Sequence, residues 1–99
     1  MGSGQEMRVT VRLASYLRGL ADGQSTVALA GEFASVADVL GALWQLHPGV
    51  RHRVVDETGR LRQHVNVFVG QENVRNTGGF ATPVADGAEV SILPAVSGG

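Results

Sequence analysis

The sequence predicts an α+β fold: a mixed sheet of four to five strands with one main helix packed on one face. Three observations predict it. Met7 to Leu13 alternates, with Val9, Val11 and Leu13 on one face and Arg8, Thr10 and Arg12 on the other. Val36, Val39, Leu40, Leu43 and Trp44 recur at helical spacing and form one apolar stripe. Asp86-Gly87, a strong turn pair, precedes a second alternating run, Val90-Ser91-Ile92-Leu93.

Taken in order, residues 1–6 read as a polar tag or disordered leader, and the domain spans residues 7–94. The strand from Met7 to Leu13 leads into Ala14 to Asp22, with Tyr16, Leu17 and Leu20 as apolar points. Asp22-Gly23 turns the chain into a second strand, Ser25 to Ala30, with Val27 and Leu29 inward, which makes an N-terminal hairpin. Gly31 to Ala34 is a loop. Ser35 is a helix N-cap with Asp38 in capping-box position. His47-Pro48-Gly49 ends that helix, because proline cannot continue the ladder. Gly49 to Val55 is a short second helix or a turn, and Asp56 to Gly59 is a loop. Leu61 to Val69 alternates as a third strand, with Leu61, Val65, Val67 and Val69 inward and Arg62, His64, Asn66 and Phe68 outward. Asn73 to Arg75 is a candidate short strand, and Thr77 to Pro83 is loop. In the last strand Val90 and Ile92 face inward and Ser91 and Leu93 outward. This order is that of a ubiquitin-like β-grasp in two layers, with the first and last strands adjacent in the middle of the sheet.

Composition narrows the chemistry. Ninety-nine residues hold one modest core and little room for a separate catalytic cleft. With no cysteine there is no disulfide, zinc-thiolate site or thiol nucleophile. A net charge of −1 gives no grounds for nucleic-acid or membrane-surface binding. No segment has the length and apolarity of a membrane span and no signal peptide is visible, so the expected compartment is cytoplasmic. All eight basic residues are arginine. His47, His52 and His64 lack acidic partners at ligand spacing, so no metal site is expected. Gly78-Gly79 lacks the Lys-Ser/Thr of a phosphate loop. Trp44 belongs to the core stripe rather than to a stacking platform.

Two features remain. On the outer face of the sheet, Phe68 and Leu93 point away from the helix, beside Arg12, Arg8 and Asn66. Single exposed hydrophobes are ordinary. Two of them on a face that should be solvated, one just before the chain's end, read as a partner-docking face of Phe68, Leu93 and Arg12. After Leu93-Pro94 comes a flexible tail, residues 95–99, closing on Gly98-Gly99. Such a tail is either a frayed end or the working end.

The chain resembles the ThiS/MoaD-type ubiquitin-like sulfur carriers over Met7 to Gly99. The resemblance rests on Met7-Arg8-Val9-Thr10-Val11, Val65-Asn66-Val67-Phe68-Val69, Val84-Ala85-Asp86-Gly87-Ala88-Glu89-Val90, and the close Ile92-Leu93-Pro94-Ala95-Val96-Ser97-Gly98-Gly99. The Gly78-Gly79-Phe80-Ala81-Thr82 loop and the ending are most similar to the actinobacterial, cysteine-making CysO-like branch. The resemblance implies a non-catalytic cosubstrate that binds no cofactor of its own. A ubiquitin-activating-type adenylating enzyme would use ATP and Mg²⁺ to activate the Gly99 carboxylate. A sulfur nucleophile would then leave a Gly99 thiocarboxylate. A sulfur-accepting biosynthetic enzyme would take that sulfur into cysteine, thiamin, molybdopterin or a sulfur-containing natural product. Gly98, Ser97 and Val96 would thread the partner's channel, and a bulky residue at Gly98 would block it. Two other readings stand beside this one: a protein modifier joined through Gly99 to target lysines, and an interaction domain whose diglycine is accidental.

Overall fold

The structure, a computed structural model, describes residues 6–95. The expected flexible tail positions Val96, Ser97, Gly98 and Gly99, and residues 1–5 of the expected leader, lie outside the described residues. The elements are β1 (Met7–Leu13), α1 (Ser15–Arg18), β2 (Thr26–Gly31), α2 (Val36–Leu46), α3 (Pro48–Val54), β3 (Val65–Val69), β4 (Glu72–Asn73) and β5 (Glu89–Pro94). The sheet order is β2-β1-β5-β3-β4. β1 and β5 run parallel at the centre, and the other pairs are antiparallel.

The alternation of β1 decides which side of the sheet is covered. Val9, Val11 and Leu13 are buried, and so are Val27 and Leu29 from β2, Val65 and Val67 from β3, and Val90 and Ile92 from β5. Val36, Val39, Leu40 and Leu43 of α2 and Val50 and Val54 of α3 close over them. Trp44 packs partly buried against this core, as the stripe predicts. The Asp38 carboxylate accepts from the backbone N–H of Ala34 at 2.8 Å and of Ser35 at 3.3 Å, which fixes the start of α2.

Three local expectations are corrected and one alternative is decided. The β1–β2 connection is more than a turn: α1 forms there and buries Leu17 before Asp22 and Gly23 turn the chain with φ of 56° and 79°. α2 ends at His47-Pro48-Gly49 as expected, and of the two readings of Gly49 to Val55 the short helix is the one that forms: Pro48 opens α3 as its first residue, where its missing N–H would have had no helical partner. The alternation from Leu61 to Val69 is two pieces. Only Val65–Val69 is strand, while Leu61 bridges to Val55 and a turn closed by Val65 N–H to Arg62 O (3.1 Å) separates them. Asn73 to Arg75 is not a strand. β4 covers Glu72–Asn73, and the Asn73 side chain accepts from Arg75 N–H at 3.0 Å to begin a 3-10 turn over Val74–Asn76. Phe33, placed in a loop by the sequence, is a core residue whose ring covers Gly31.

Candidate functional site

β5 brings the candidate surface together because its side chains alternate between core and outer face. Val90 and Ile92 go into the core, so Ser91 and Leu93 face the other way. The registers then fix their neighbours. Ser91 lies between Arg12 on β1 and Phe68 on β3, and Leu93 lies opposite Asn66. Thr26 and Asn73 extend the Ser91 row to the sheet edges. Phe68 and Leu93 are therefore diagonal neighbours across β3 and β5, a separation of roughly 7–8 Å between backbones. Among the described residues no helix covers this side, since α2 and α3 pack on the opposite one.

The three residues differ in how they meet solvent. Leu93 is 39% exposed. Phe68 is half-buried between its strand neighbours, Ser91 and Asn73, while the adjacent Val67 is fully buried in the core. The Arg12 side chain is 59% exposed and lies 3.5 Å from Glu89. An ion pair this exposed holds the guanidinium only loosely, leaving it available to another carboxylate. Beside Arg12 and Leu93 is a recess of about 400 Å³ whose lining includes Arg18, Ser25, Thr26 and Ser91. The Arg18 Nε–H donates to Leu13 O at 3.1 Å, which pins that side chain along the end of β1.

Sequence reasoning missed Arg75. Its Nη2 donates to Arg62 O and to Val65 O, both at 2.7 Å, and its Nε donates to Asn66 Oδ1 at 3.2 Å. It clamps the beginning of β3 and holds the Asn66 side chain next to Leu93. No local pattern marks it, because its three acceptors lie 9 to 13 residues away in the chain. Arg18, Ser25 and Thr26 were missed because they line one recess only once β1 and β2 are paired.

The β3–β5 pairing runs to the end of β5 and one residue past it. Pro94 sits in register with Val65, at the last position of the strand, where a residue without an N–H costs least. Ala95 N–H donates to His64 O at 2.8 Å. Gly99, Gly98, Ser97 and Val96 follow, outside the described residues.

Elsewhere the titratable groups serve the fold. The Thr58 hydroxyl, with the backbone N–H groups of Arg60 and Thr58, holds the Asp56 carboxyl below its ordinary value. Burial pushes the Tyr16 hydroxyl up, against the opposing charge of Arg53. Among the described residues no three His, Asp or Glu side chains gather as a metal site, and no helix is long and apolar enough to cross a membrane.

The profile of the ThiS family matches residues 11–99. The sulfur carrier protein CysO of Mycobacterium tuberculosis (strain ATCC 25618 / H37Rv) is 40% identical over 95 residues, covering 94% of this chain and 100% of its own length. The small archaeal modifier protein 3 of Haloferax volcanii is 31% identical over 93 residues, with 94% and 100% covered. The crystal structure of Mycobacterium tuberculosis CysO superposes with a TM-score of 0.81 at 39% identity, covering 89% of this chain and 99% of that one. A chain of the Amycolatopsis orientalis BexX/CysO complex does so with a TM-score of 0.80 at 37% identity, covering 92% and 99%. The five-stranded sheet and its helices are the ubiquitin-like β-grasp of these structures.

Proposed function

The chain belongs to the ThiS family, and we propose that it is a sulfur carrier whose Gly99 carboxylate is converted to a thiocarboxylate by a partner enzyme. One observation carries this reading: the 40% identity to CysO runs over the full length of that protein. The sheet adds a means of presentation, since β5 bears Leu93 on the outer face and leads directly to the tail.

A carboxylate is a poor acyl donor because its charge repels nucleophiles and oxide does not leave. In the proposed reaction a Gly99 oxygen attacks the α-phosphate of ATP on an adenylating enzyme, and pyrophosphate departs. Mg²⁺ on that enzyme balances the phosphate charge. A hydrosulfide-level nucleophile then attacks the acyl carbon, AMP leaves, and the C-terminus is a thiocarboxylate. This anion is a soft nucleophile that a sulfur-accepting enzyme uses against its own activated substrate. The chain supplies the reactive end and no catalytic group. The ATP-dependent step places the cycle in the cytoplasm. Phe68, Leu93 and Arg12 form the docking face, and Val96, Ser97 and Gly98 thread the partner's channel. The BexX/CysO complex is the assembled state of one relative and supports a sulfur-accepting enzyme as one of the partners.

Intact-protein mass spectrometry after incubation with an adenylating enzyme, ATP, Mg²⁺ and sulfide tests the reading. An oxygen-to-sulfur mass increase that disappears when Gly99 is deleted is expected. No increase, with an enzyme that loads another carrier in the same assay, would overturn it. The match to a small archaeal modifier protein favours a second reading, conjugation of Gly99 to target lysines. It predicts a lysine-linked adduct that survives thiol treatment.

A further inference from the structure

α2 carries a glycine that the fold does not ask for. Gly41 sits in the interior of that helix, where glycine costs stability relative to alanine. It is not among the glycines with positive φ, and a Cβ added to it would meet nothing within 4 Å. Neither backbone conformation nor crowding among the described residues explains it. What the missing side chain provides is space, because Gly41 is part of the wall of a groove.

The groove lies on the helix side of the sheet, between α2 and a 3-10 turn over Gly79–Ala81. Two cavities of about 230 and 380 Å³ meet there, and Gly59 and Phe80 line both. Ala37, Leu40, Gly41 and Trp44 present one stripe of α2 to the smaller cavity, at spacings of three and four residues. Trp44 and Phe80 are only partly buried, so both offer ring surface to the space that Gly41 leaves open. The rim is cationic. Arg51 lines the smaller cavity and Arg60 and Arg75 the larger, and among the described residues no Asp or Glu lines either. Arg75 is committed to the start of β3. The guanidinium groups of Arg51 and Arg60 make no hydrogen bond or ion pair among the described residues. In a chain of net charge −1 this is a local excess of positive charge around an aromatic groove.

We propose that this groove docks a segment of a partner protein in which an apolar or aromatic side chain is flanked by carboxylates. The apolar side chain seats against Trp44 and Phe80 over Gly41, and the carboxylates pair with Arg51 and Arg60, the geometry for which a guanidinium is suited. The groove is distinct from the outer sheet face, because α2 packs on the side of the sheet opposite Phe68, Leu93 and Arg12. A partner held in the groove therefore leaves the outer face free for another.

The test is nuclear magnetic resonance on the isotope-labelled full chain with a capped synthetic peptide, a Leu-Trp-Leu centre with three glutamates on each side. A second peptide carries lysines in place of the glutamates. The glutamate peptide should shift the signals of Gly41, Trp44, Gly59 and Phe80 and leave those of Phe68 and Leu93 in place. It should bind about tenfold more tightly than the lysine peptide, the effect of two exposed ion pairs. Arg51→Glu combined with Arg60→Glu should reverse that preference. Gly41→Gln, a substitution that a helix tolerates, should fill the groove and weaken binding about tenfold without lowering the melting temperature. Gly41→Ala should raise the melting temperature by roughly 2–8 °C, because its methyl group enters open space. No signal shift at about 1 mM peptide would overturn the proposal. So would equal binding of the two peptides, or unchanged binding to Gly41→Gln. A lower melting temperature for Gly41→Ala would overturn it as well, by making the glycine a requirement of the fold. Shifts at Phe68 and Leu93 instead would move the peptide to the outer face and do the same. None of these measurements involves sulfur loading, so the groove is tested separately from the carrier reading.

Discussion

Leu93 is the side chain at which the surface reading is most exposed to test. It is an apolar group 39% exposed at the end of a central strand, and burying that remainder against a partner is worth about 0.6–1.2 kcal/mol. Leu93→Asp removes that gain and places a charge next to Phe68. The lost burial alone should raise the partner's Michaelis constant about three- to eightfold, since about 1.4 kcal/mol is one factor of ten, and desolvating the new charge raises it further. The melting temperature should stay close to wild type, because exposed substitutions cost within about 0.5 kcal/mol. Unchanged loading kinetics would remove Leu93 from the docking face. Asp56 makes a different prediction. Its folded carboxyl is held below the ordinary 3.8, so the ionised form favours the folded state. That contribution is present above the ordinary value and is lost as pH falls through the folded one. Asp56→Asn should therefore melt below wild type at neutral pH, and the gap should close as the pH drops below the ordinary carboxylate range. A gap that is constant with pH would mean that turn geometry, rather than charge, is what Asp56 supplies.

The strands show where periodicity carries information and where it fails. β1 and β5 were legible because each alternates strictly and is bounded by turn residues, and α2 because its stripe and its Ser35–Asp38 cap agree. The Leu61 to Val69 run misled because Leu61 and Val65 both face inward while belonging to different backbone pairings. An inward side chain does not reveal its hydrogen-bond partner. The outer face was readable for the same reason β5 was, whereas the Arg75 clamp and the Arg18 recess arise only when distant segments meet. Phe33 was missed because a single aromatic in a loop has no period. Its ring packs so closely on the end of β2 that a Cβ at Gly31 would lie 3.1 Å from Cζ. Gly31→Ala requires the buried ring to give by a few tenths of an ångström, and the expected overpacking cost is about 1–3 kcal/mol. Chemical denaturation should show it as a lower midpoint with the slope unchanged. A neutral result would mean that the Phe33 ring can shift without loss of packing.

On the proposed reading, gripping and delivering are separate. The proposed docking face would be built on β1, β3 and β5, with β5 flanked on both sides by hydrogen-bonded strands. The proposed reactive end, Gly99, comes four residues after Ala95 in sequence, so the proposed face is complete without it. A strand paired on both sides opens only with the whole domain, so the start of the tail keeps a fixed position relative to Phe68 and Arg12. It follows that a chain lacking Gly98 and Gly99 should fold, dock and fail to react. Its melting temperature should match the full chain. It should inhibit loading of the full chain competitively, with an inhibition constant within about tenfold of the substrate's Michaelis constant, because the apolar contacts that dominate interface affinity are retained. Adding Leu93→Asp to the truncated chain should raise the inhibition constant by the same factor as it raises the full chain's Michaelis constant. If the truncated chain does not inhibit at all, recognition resides in the glycines themselves, and the sheet serves only to hold them.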